Sequence, residues 1–178
     1  NCDSKSLTHF ILDPQYSVRR KIINQLVLAA RLFDGIQLDF EYVPFRDREN
    51  FISFIKELQK KLGKGKWLSV CVPARISNIT DDVYPYKRIA QFCDRIIVMA
   101  YDEHWSTSAP GSVASMDWCR KIAQYSLASV PPNKLIMGLP FYGRTWIDKN
   151  PAGGWSFNKI NQILQENKIK KINRIDYT

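Results

Sequence analysis

The chain has 178 residues, of which 45% are hydrophobic, and a formal net charge of +9. This length and composition allow one domain with a sizeable core and exclude an intrinsically disordered chain. No stretch approaches the ~20 consecutive apolar residues of a membrane-spanning helix, so we expect no membrane span. The positive charge favours polyanionic partners, but the basic residues are scattered and match no nucleic-acid-binding module, so we expect no nucleic-acid partner.

The cysteine and histidine content indicates whether to expect a metal or cofactor, and the start of the sequence bears on the cellular compartment. The four cysteines, Cys2, Cys71, Cys93 and Cys119, form no CxxC pair, and the sequence has two histidines. We therefore expect no zinc site, no other metal and no cofactor. The cysteines lie in strand-like or helix-like sequence, which favours buried thiols over disulfides. No signal peptide is visible at Asn1, so we expect a mature form or a segment of a longer chain.

Taken in chain order, the hydrophobic periods alternate between helix and strand. Apolar residues at helical spacing predict helices over 18–33, 48–62, 86–92, 116–125 and 157–164. Short apolar runs predict strands over 35–41, 67–73, 95–101 and 134–141, with a remnant of a strand at 8–12. The tail is expected to add a loop over 149–154 and a polar strand over 170–178.

Side chains at the predicted helix ends support these boundaries. A side-chain oxygen just before a helix can accept a backbone N–H of the first turn. The candidate N-caps are Ser17, Asp47, Ser115 and Ser156. Gly63 is expected to end the helix that begins after Asp47, because glycine readily adopts the left-handed conformation found there.

The first strand differs from the other three. Strands that alternate with helices form parallel sheets, which are usually covered on both faces and apolar throughout. Gln37, Asp39 and Glu41 instead place polar groups on one face of the first strand. One interpretation is a half-exposed strand with a polar face in water. The alternation of strands and helices favours a second interpretation, in which this face points into a barrel or a crevice. The catalytic residues of α/β enzymes lie at such places.

Four motifs resemble, in order and spacing, those of glycoside hydrolase family 18, the chitinase family. They are "DGIQLDFE" (34–41), similar to the DGxDxDxE signature, "SVCVPA" (69–74), "MAYD" (99–102) and "GLPFYGRTW" (138–146). The stretch "YDEHW…PGSVASMDW" (101–118) resembles most the branch of bacterial spore-cortex and cell-wall lytic enzymes. The resemblance covers the chain from about Phe10 onward.

The resemblance implies an α/β fold, the (β/α)₈ TIM barrel, which typically has ~250 residues. The whole chain, 1–178, is then expected to be a segment of one catalytic barrel. It would run from strand three or four to strand seven, and 147–178 would begin a small α+β insertion after strand seven. Such a segment leaves sheet edges open, so we expect it to associate, aggregate or unfold easily when expressed alone.

By resemblance, Glu41 is the general acid that protonates the glycosidic oxygen. Asp39 is then the carboxylate that orients the substrate's own acetamido group, which serves as the nucleophile in this family. Two carboxylates on one strand face repel each other, which raises the pKa of one of them. The alternative for each is a structural carboxylate in a buried hydrogen-bond network. Gln37 departs from the family, which usually has aspartate there, although an amide can still donate a hydrogen bond to Asp39.

The remaining site residues also follow from the resemblance. Tyr101 matches the tyrosine that hydrogen-bonds the acetamido carbonyl, with a buried structural tyrosine as the alternative. The expected substrate-binding residues are Gln37, Asp102, Tyr142, Arg144 and Trp105. Trp105 and Trp146 could equally stack on sugar rings or pack against protein. Glu103 and His104 are expected to extend the mouth of the site.

The function expected from the resemblance is that of a retaining glycosidase that cleaves β-1,4 bonds in a polymer containing N-acetylglucosamine. The carbohydrate partner would be peptidoglycan, spore cortex or chitin, and the location extracellular or in the cell envelope. A sugar-binding barrel without catalysis is the first alternative, although such proteins commonly lose the acid that Glu41 represents. A polyanion binder driven by the positive charge is the second, and it would bind with steep salt dependence.

Overall fold

The structure, a computed structural model, describes residues 4–146 and 151–169. Its largest feature is a parallel sheet of four strands whose spatial order follows the chain. The strands are β1 (Gly35–Leu38), β2 (Trp67–Pro73), β3 (Arg95–Met99) and β4 (Leu135–Gly138). A separate antiparallel hairpin pairs β5 (Tyr142–Thr145) with β6 (Gly153–Ser156). The predicted α/β class and the four parallel, adjacent strands are confirmed.

The helices are α1 (Lys5–Leu12), α2 (Ser17–Ala29), α3 (Arg48–Leu62), α4 (Tyr86–Ile89), α5 (Met116–Leu127) and α6 (Phe157–Glu166). Short 3₁₀ turns lie at Ala30–Leu32, Phe45–Asp47 and Pro132–Lys134. Ser115 and Ser156 cap α5 and α6 through their hydroxyl oxygens, as predicted. Gly63 ends α3 with φ at +70°, also as predicted. Within the described ranges, no helix is both long and apolar enough to cross a membrane.

The core lies on one face of the parallel sheet. Alternate strand residues point to this face and are almost completely buried: Leu38, Leu68, Val70, Val72, Ile96 and Val98. The helices supply Ile23, Phe51, Phe54, Ile55, Leu58, Ile89 and Ile122 to the same cluster. Each fully buried apolar side chain of this size contributes roughly 1.5–3 kcal/mol relative to an exposed one. Stability therefore depends mainly on this helix-covered face.

Within residues 4–146 and 151–169, no helix covers the opposite face of the sheet. Its residues include Gln37 and Ile136, which are exposed, and Ser69, Ile97 and Met99, which are partly buried. At its edges, β1 and β4 each pair with one neighbour among the described strands. Association through these edges stays a prediction.

Three expectations for the N-terminal half were wrong. Residues 8–12 belong to α1 and not to a strand, because Ser4 caps this helix and accepts the N–H of Leu7 at 3.4 Å. Ser17 is the first helical residue of α2, and the N-cap position falls on Tyr16, which makes no side-chain capping bond. Asp47 does occupy the N-cap of α3, but its carboxylate binds His9 and Asn50 instead of the helix N–H groups.

The prediction for β2 was correct at both ends, whereas those for β1, β3 and β4 were too long at their carboxyl ends. β1 ends at Leu38, and β4 ends at Gly138, two residues before Pro140, which lacks the N–H that a ladder needs. Residues 142–145 pair instead with 153–156, so part of the predicted loop over 149–154 is a strand. The polar strand predicted over 170–178 lies outside the described residues. At the start of β1, Gly35 lies so close to the Trp67 backbone that a Cβ atom would collide with its carbonyl oxygen.

Candidate active site

A cleft lies at the carboxyl ends of β1, β2 and β3, where the predicted acidic residues meet. Its lining contains Asp39, Glu41, Tyr101 and Asp102 together with Tyr42, Pro73, Ala74, Met99 and Trp118. Asp39 and Glu41 follow the end of β1, while Tyr101 and Asp102 follow the end of β3. Because parallel strands end at the same edge of a sheet, the fold brings these distant segments together.

Asp39 is the carboxylate with the most unusual surroundings. Its Oδ1 atom is buried and has no hydrogen-bond partner among the described residues. Burial raises the pKa of Asp39 above its ordinary value of 3.8, and the nearby charge of Glu41 raises it further. The two-carboxylate effect expected from the sequence therefore falls on Asp39, with desolvation as the larger cause.

The hydrogen bond expected between Gln37 and Asp39 is not formed. The Oε1 atom of Gln37 accepts a bond from the Ser69 hydroxyl at 3.5 Å, and Ser69 is the residue opposite Gln37 in the β1–β2 register. Residues two apart in a strand are separated by roughly 7 Å along it, whereas the neighbouring strand is only ~4.8 Å away. The amide therefore reaches across the sheet more easily than along it.

Asp102 joins the cleft to the β5–β6 hairpin. Its Oδ1 atom accepts bonds from the Tyr142 hydroxyl at 2.7 Å and from Nε and Nη2 of Arg144 at 3.1 and 2.7 Å. The hydrogen bond and charge of Asp102 raise the pKa of Arg144. Burial, and next the hydrogen bond between the Tyr142 hydroxyl and Asp102, raise the pKa of Tyr142. Asp102 adopts φ of +60°, a conformation that few residues other than glycine, asparagine and aspartate accept readily.

The tyrosines predicted for the site lie edge to face. The ring centroids of Tyr101 and Tyr142 are 6.4 Å apart, and their planes are inclined at 76°. Burial, followed by the charges of nearby acidic groups, raises the pKa of Tyr101, so its phenol is neutral and able to donate a hydrogen bond. Tyr142 and Arg144 do not line the cleft themselves, and they contact it through Asp102.

The loop that follows Asp102 is held by its own contacts. The carboxylate of Glu103 accepts the N–H and hydroxyl of Ser115 at 2.7 and 3.0 Å, and Nδ1 of His104 is 2.9 Å from the Ser112 carbonyl oxygen. These polar groups thus close the loop, and the expectation that Glu103 and His104 extend the mouth of the site stays a prediction. Trp105 is 52% exposed and lies outside the cleft lining.

Several lining residues were not predicted. Met99, Pro73 and Ala74 lie at or just after the carboxyl ends of their strands, so an accurate strand boundary would have identified them. Tyr42 directly follows Glu41 along the chain. Trp118 is the third residue of α5, and only the packing of that helix places it beside Met99 and Asp102.

Two other features concern metals and thiols. The ligand atoms of His9, Asp13 and Asp47 lie within 4.8 Å of one another, outside the cleft. Nδ1 of His9 is 2.9 Å from Oδ2 of Asp47, so this histidine links α1 to the start of α3. Cys71, Cys93 and Cys119 are free thiols, as predicted, and Cys2 lies outside the described residues. Burial raises the pKa of Cys71 to about 11.

Comparison with known proteins agrees with the motif resemblance. The profile of the family "Glycosyl hydrolases family 18" matches residues 8–177. The uncharacterized glycosylase YvbX of Bacillus subtilis (strain 168) is 32% identical over 163 residues, which are 86% of this chain and 47% of that protein.

Solved structures show the same similarity. The spore cortex-lytic enzyme SleL of Bacillus cereus superposes with a TM-score of 0.82 at 26% identity, over 98% of this chain and 42% of that one. A chitinase from Chromobacterium violaceum gives a TM-score of 0.83 at 30% identity, over 93% and 55% of the two chains. The chain thus spans about half the length of the proteins that it matches. The chain belongs to glycosyl hydrolases family 18.

Proposed function

We propose that the full-length protein is a retaining glycosidase that hydrolyses β-1,4 bonds in a polymer containing N-acetylglucosamine. The observation that carries this proposal is the cleft itself, in which Asp39, Glu41, Tyr101 and Asp102 meet at the carboxyl ends of parallel strands. In a family of glycoside hydrolases, paired carboxylates beside a neutral phenol are suited to acid catalysis on an acetamido sugar.

In this mechanism Glu41 donates its proton to the glycosidic oxygen as the bond to the leaving sugar breaks. The carbonyl oxygen of the substrate's acetamido group attacks the anomeric carbon, and an oxazolinium ion forms. Tyr101 donates a hydrogen bond to that carbonyl group and orients it. A water molecule then attacks the anomeric carbon and opens the oxazolinium ring, while Glu41 accepts a proton from that water. The product therefore retains the β-configuration.

Asp39 stabilises the positive charge that develops on the acetamido nitrogen. Burial disfavours its anion in the free protein, as the direction of its pKa shift indicates. A cation that appears beside this partly desolvated carboxylate relieves that penalty, so the interaction is stronger in the transition state than in the ground state. Among the described residues, the Oδ1 atom of Asp39 has no hydrogen-bond partner, so no neighbouring donor offsets the charge that this role requires.

We also propose that the four parallel strands are consecutive strands of a (β/α)₈ barrel. Residues 1–178 would then be a segment of one catalytic barrel, with the hairpin and α6 at the start of an insertion that includes 147–178. The sheet face without helices supports this, because exposed residues such as Ile136 would face the interior of a closed barrel. The greater length of the matched relatives also supports it.

For the substrate, we favour bacterial peptidoglycan or spore cortex, with action outside the cell or in its envelope. The likeness to the cortex-lytic enzyme supports a wall polymer, and the likeness to the chitinase keeps chitin as the second substrate. A sugar-binding protein without catalysis is the alternative function. The observation that favours it is Gln37, whose amide contacts Ser69 and leaves Asp39 without the partner that a family aspartate would supply.

Proton NMR of freshly formed products from an N-acetylated oligosaccharide tests the mechanism in the full-length protein. We expect the β-anomer first, because a double displacement retains configuration. A matched oligosaccharide without acetamido groups should not be cleaved, since the nucleophile is then missing. An α-anomer appearing first would exclude the proposed route, and binding without cleavage would favour the sugar-binding alternative.

A further inference from the structure

The segment that carries Glu41 lies outside the strand that precedes it. β1 ends at Leu38, three residues before Glu41, and only an isolated β-bridge at Phe40 follows, so the continuous ladder of the sheet does not extend to Glu41. A general acid must nevertheless stay within hydrogen-bond reach of one substrate oxygen. Other contacts must therefore hold the backbone on either side of Glu41.

Tyr84 supplies contacts on both sides. Its hydroxyl donates to the carbonyl oxygen of Phe40 at 2.6 Å and accepts the N–H of Val43 at 3.3 Å. Phe40 directly precedes Glu41, and Val43 follows two residues later. Burial raises the pKa of Tyr84 to about 12, so the phenol keeps its proton and can donate and accept at once.

Tyr84 is itself fixed in place. Its side chain is 4% exposed, and its ring packs edge to face on Phe51 of α3 with the centroids 5.7 Å apart. The ring of Phe40 packs on the same Phe51 ring, also at 5.7 Å. On the main chain, the N–H of Tyr84 donates to Asp82, whose carboxylate pairs with Arg75 at 3.0 Å.

We propose that Tyr84 is a positioning residue for Glu41, and that its hydroxyl bridges the backbone on either side of the general acid. This inference rests on the proposed function, because it assigns Tyr84 a role through Glu41. The hydroxyl matters more than the ring, since phenylalanine would fill the same space and leave the Phe40 carbonyl and the Val43 N–H without this partner. The loop between β2 and α4 is thereby coupled to the geometry of the acid.

Tyr84→Phe in the full-length protein tests the proposal, with Tyr86→Phe as the matched control. The hydroxyl of Tyr86 is also buried and donates to a single backbone carbonyl, that of Pro73. We expect kcat on an N-acetylated oligosaccharide to fall ~10–100-fold in Tyr84→Phe with KM within about twofold, because small displacements of a catalytic group are costly. In Tyr86→Phe we expect kcat within about threefold of the parent. Equal losses of kcat in the two variants would overturn the proposal.

A double-mutant cycle separates positioning from general destabilisation. If Tyr84 acts through Glu41, then adding Tyr84→Phe to Glu41→Gln should not lower the residual rate further. The same ~10–100-fold loss in that background would show that Tyr84 acts independently of Glu41 and would overturn the proposal.

Amide exchange of Val43, followed by NMR in the full-length protein, tests the bridge without any substrate. We expect it to be about tenfold faster in Tyr84→Phe and unchanged in Tyr86→Phe. Unchanged exchange of the Val43 amide in both variants would show that the Tyr84 hydroxyl does not bridge this backbone, and it would leave the proposed function standing. Full activity of Glu41→Gln would instead overturn the proposed function, and with it the role given to Tyr84.

Discussion

The two faces of the parallel sheet have different properties. On the helix-covered face, Leu68, Val70 and Ile96 are each at most 1% exposed to solvent. On the other face, Gln37 and Ile136 are exposed, and the candidate acid Glu41 follows the same strand as Gln37. One face of the sheet therefore stabilises this chain, and the candidate catalytic residues lie at the carboxyl end of the other face.

This division has a physical reason. Burial of a carboxylate or an amide without partners is costly, so polar groups destabilise a packed core. Asp39 illustrates the cost, because its Oδ1 atom is buried without a partner in the part of the chain that the structure describes, and its pKa is raised. Such a group is tolerated where the remaining structure supplies the stability. The variants below test whether the two faces can be changed independently.

The largest expected effect is on activity. Glu41→Gln in the full-length protein should lower hydrolysis of an N-acetylated oligosaccharide by ~10²–10⁴-fold, because the amide cannot donate the proton. Its melting temperature should stay close to that of the parent, since Glu41 is exposed. A steady-state assay and a thermal melt provide the two measurements. A large fall in stability with activity retained would contradict the division between the faces.

A matched pair of isoleucines compares the faces directly. Ile96 is fully buried on the helix-covered face, and Ile136 is 42% exposed on the other face of the neighbouring strand β4. Ile96→Ala should cost about 2–5 kcal/mol of unfolding free energy, because it leaves a cavity. In the 178-residue chain, Ile136→Ala should cost less than about 1 kcal/mol, because this side chain is exposed while the proposed barrel is not closed around it. Denaturant unfolding measures both, and equal losses would show that the second face is also part of the stabilising core.

The contact between the cleft and the hairpin should have an intermediate, local effect. Asp102→Asn keeps the backbone preference but loses the charge that binds Arg144, which should weaken the hairpin by about 1–2 kcal/mol. Hydrogen exchange of residues 142–146 should then become faster while that of β2 stays unchanged. Asp81→Asn is the control, because Asp81 has a similar φ of +59° and is exposed. Equal effects of the two variants would argue against the role given to Asp102.

The smallest expected effect is on the pH dependence of stability. The pKa of Asp39 is raised in the folded state, so the folded protein binds this proton more readily than the unfolded chain does. The stability that this proton contributes is fully present below the ordinary value of 3.8 and is lost as pH rises through the folded pKa. Asp39→Asn should therefore be slightly more stable than the parent at pH 7, and this gain should disappear below pH 3.8. Melts over that pH range test the sign, and a loss of stability at pH 7 would contradict it.

The same variant should also lose activity. In the proposed mechanism, a neutral amide at position 39 cannot stabilise the cation that would form on the acetamido nitrogen. Gain of stability with loss of activity in Asp39→Asn would show that this carboxylate is kept for function. If both rise together, the role assigned to Asp39 is wrong.

The hydrophobic periodicity of the sequence was sufficient to predict the helices and strands that bury a regular row of apolar side chains. Phe51, Ile55 and Leu58 predicted α3, and the apolar runs through Val70 and Ile96 predicted β2 and β3, because burial imposes the same period on any chain with this fold. The four motifs were sufficient for the family. They also placed Asp39, Glu41, Tyr101 and Asp102 in one cleft, since each motif ends a strand and parallel strands end at one edge.

The pairing of individual polar groups was decided only by tertiary structure. Residues 8–12 carry apolar side chains compatible with either period, and the cap at Ser4 together with packing on α2 and α3 made them a helix. Gln37 bonds to Ser69 because its neighbour in the sheet is nearer than Asp39, and Glu103 bonds to Ser115 because α5 begins beside it. Tyr84 meets Phe40 and Val43 across more than forty residues of chain. Side-chain type sets what a group can bind, and the sequence shows that directly. Which partner lies within 3 Å depends on how separate elements pack, and a local pattern contains no information about that distance.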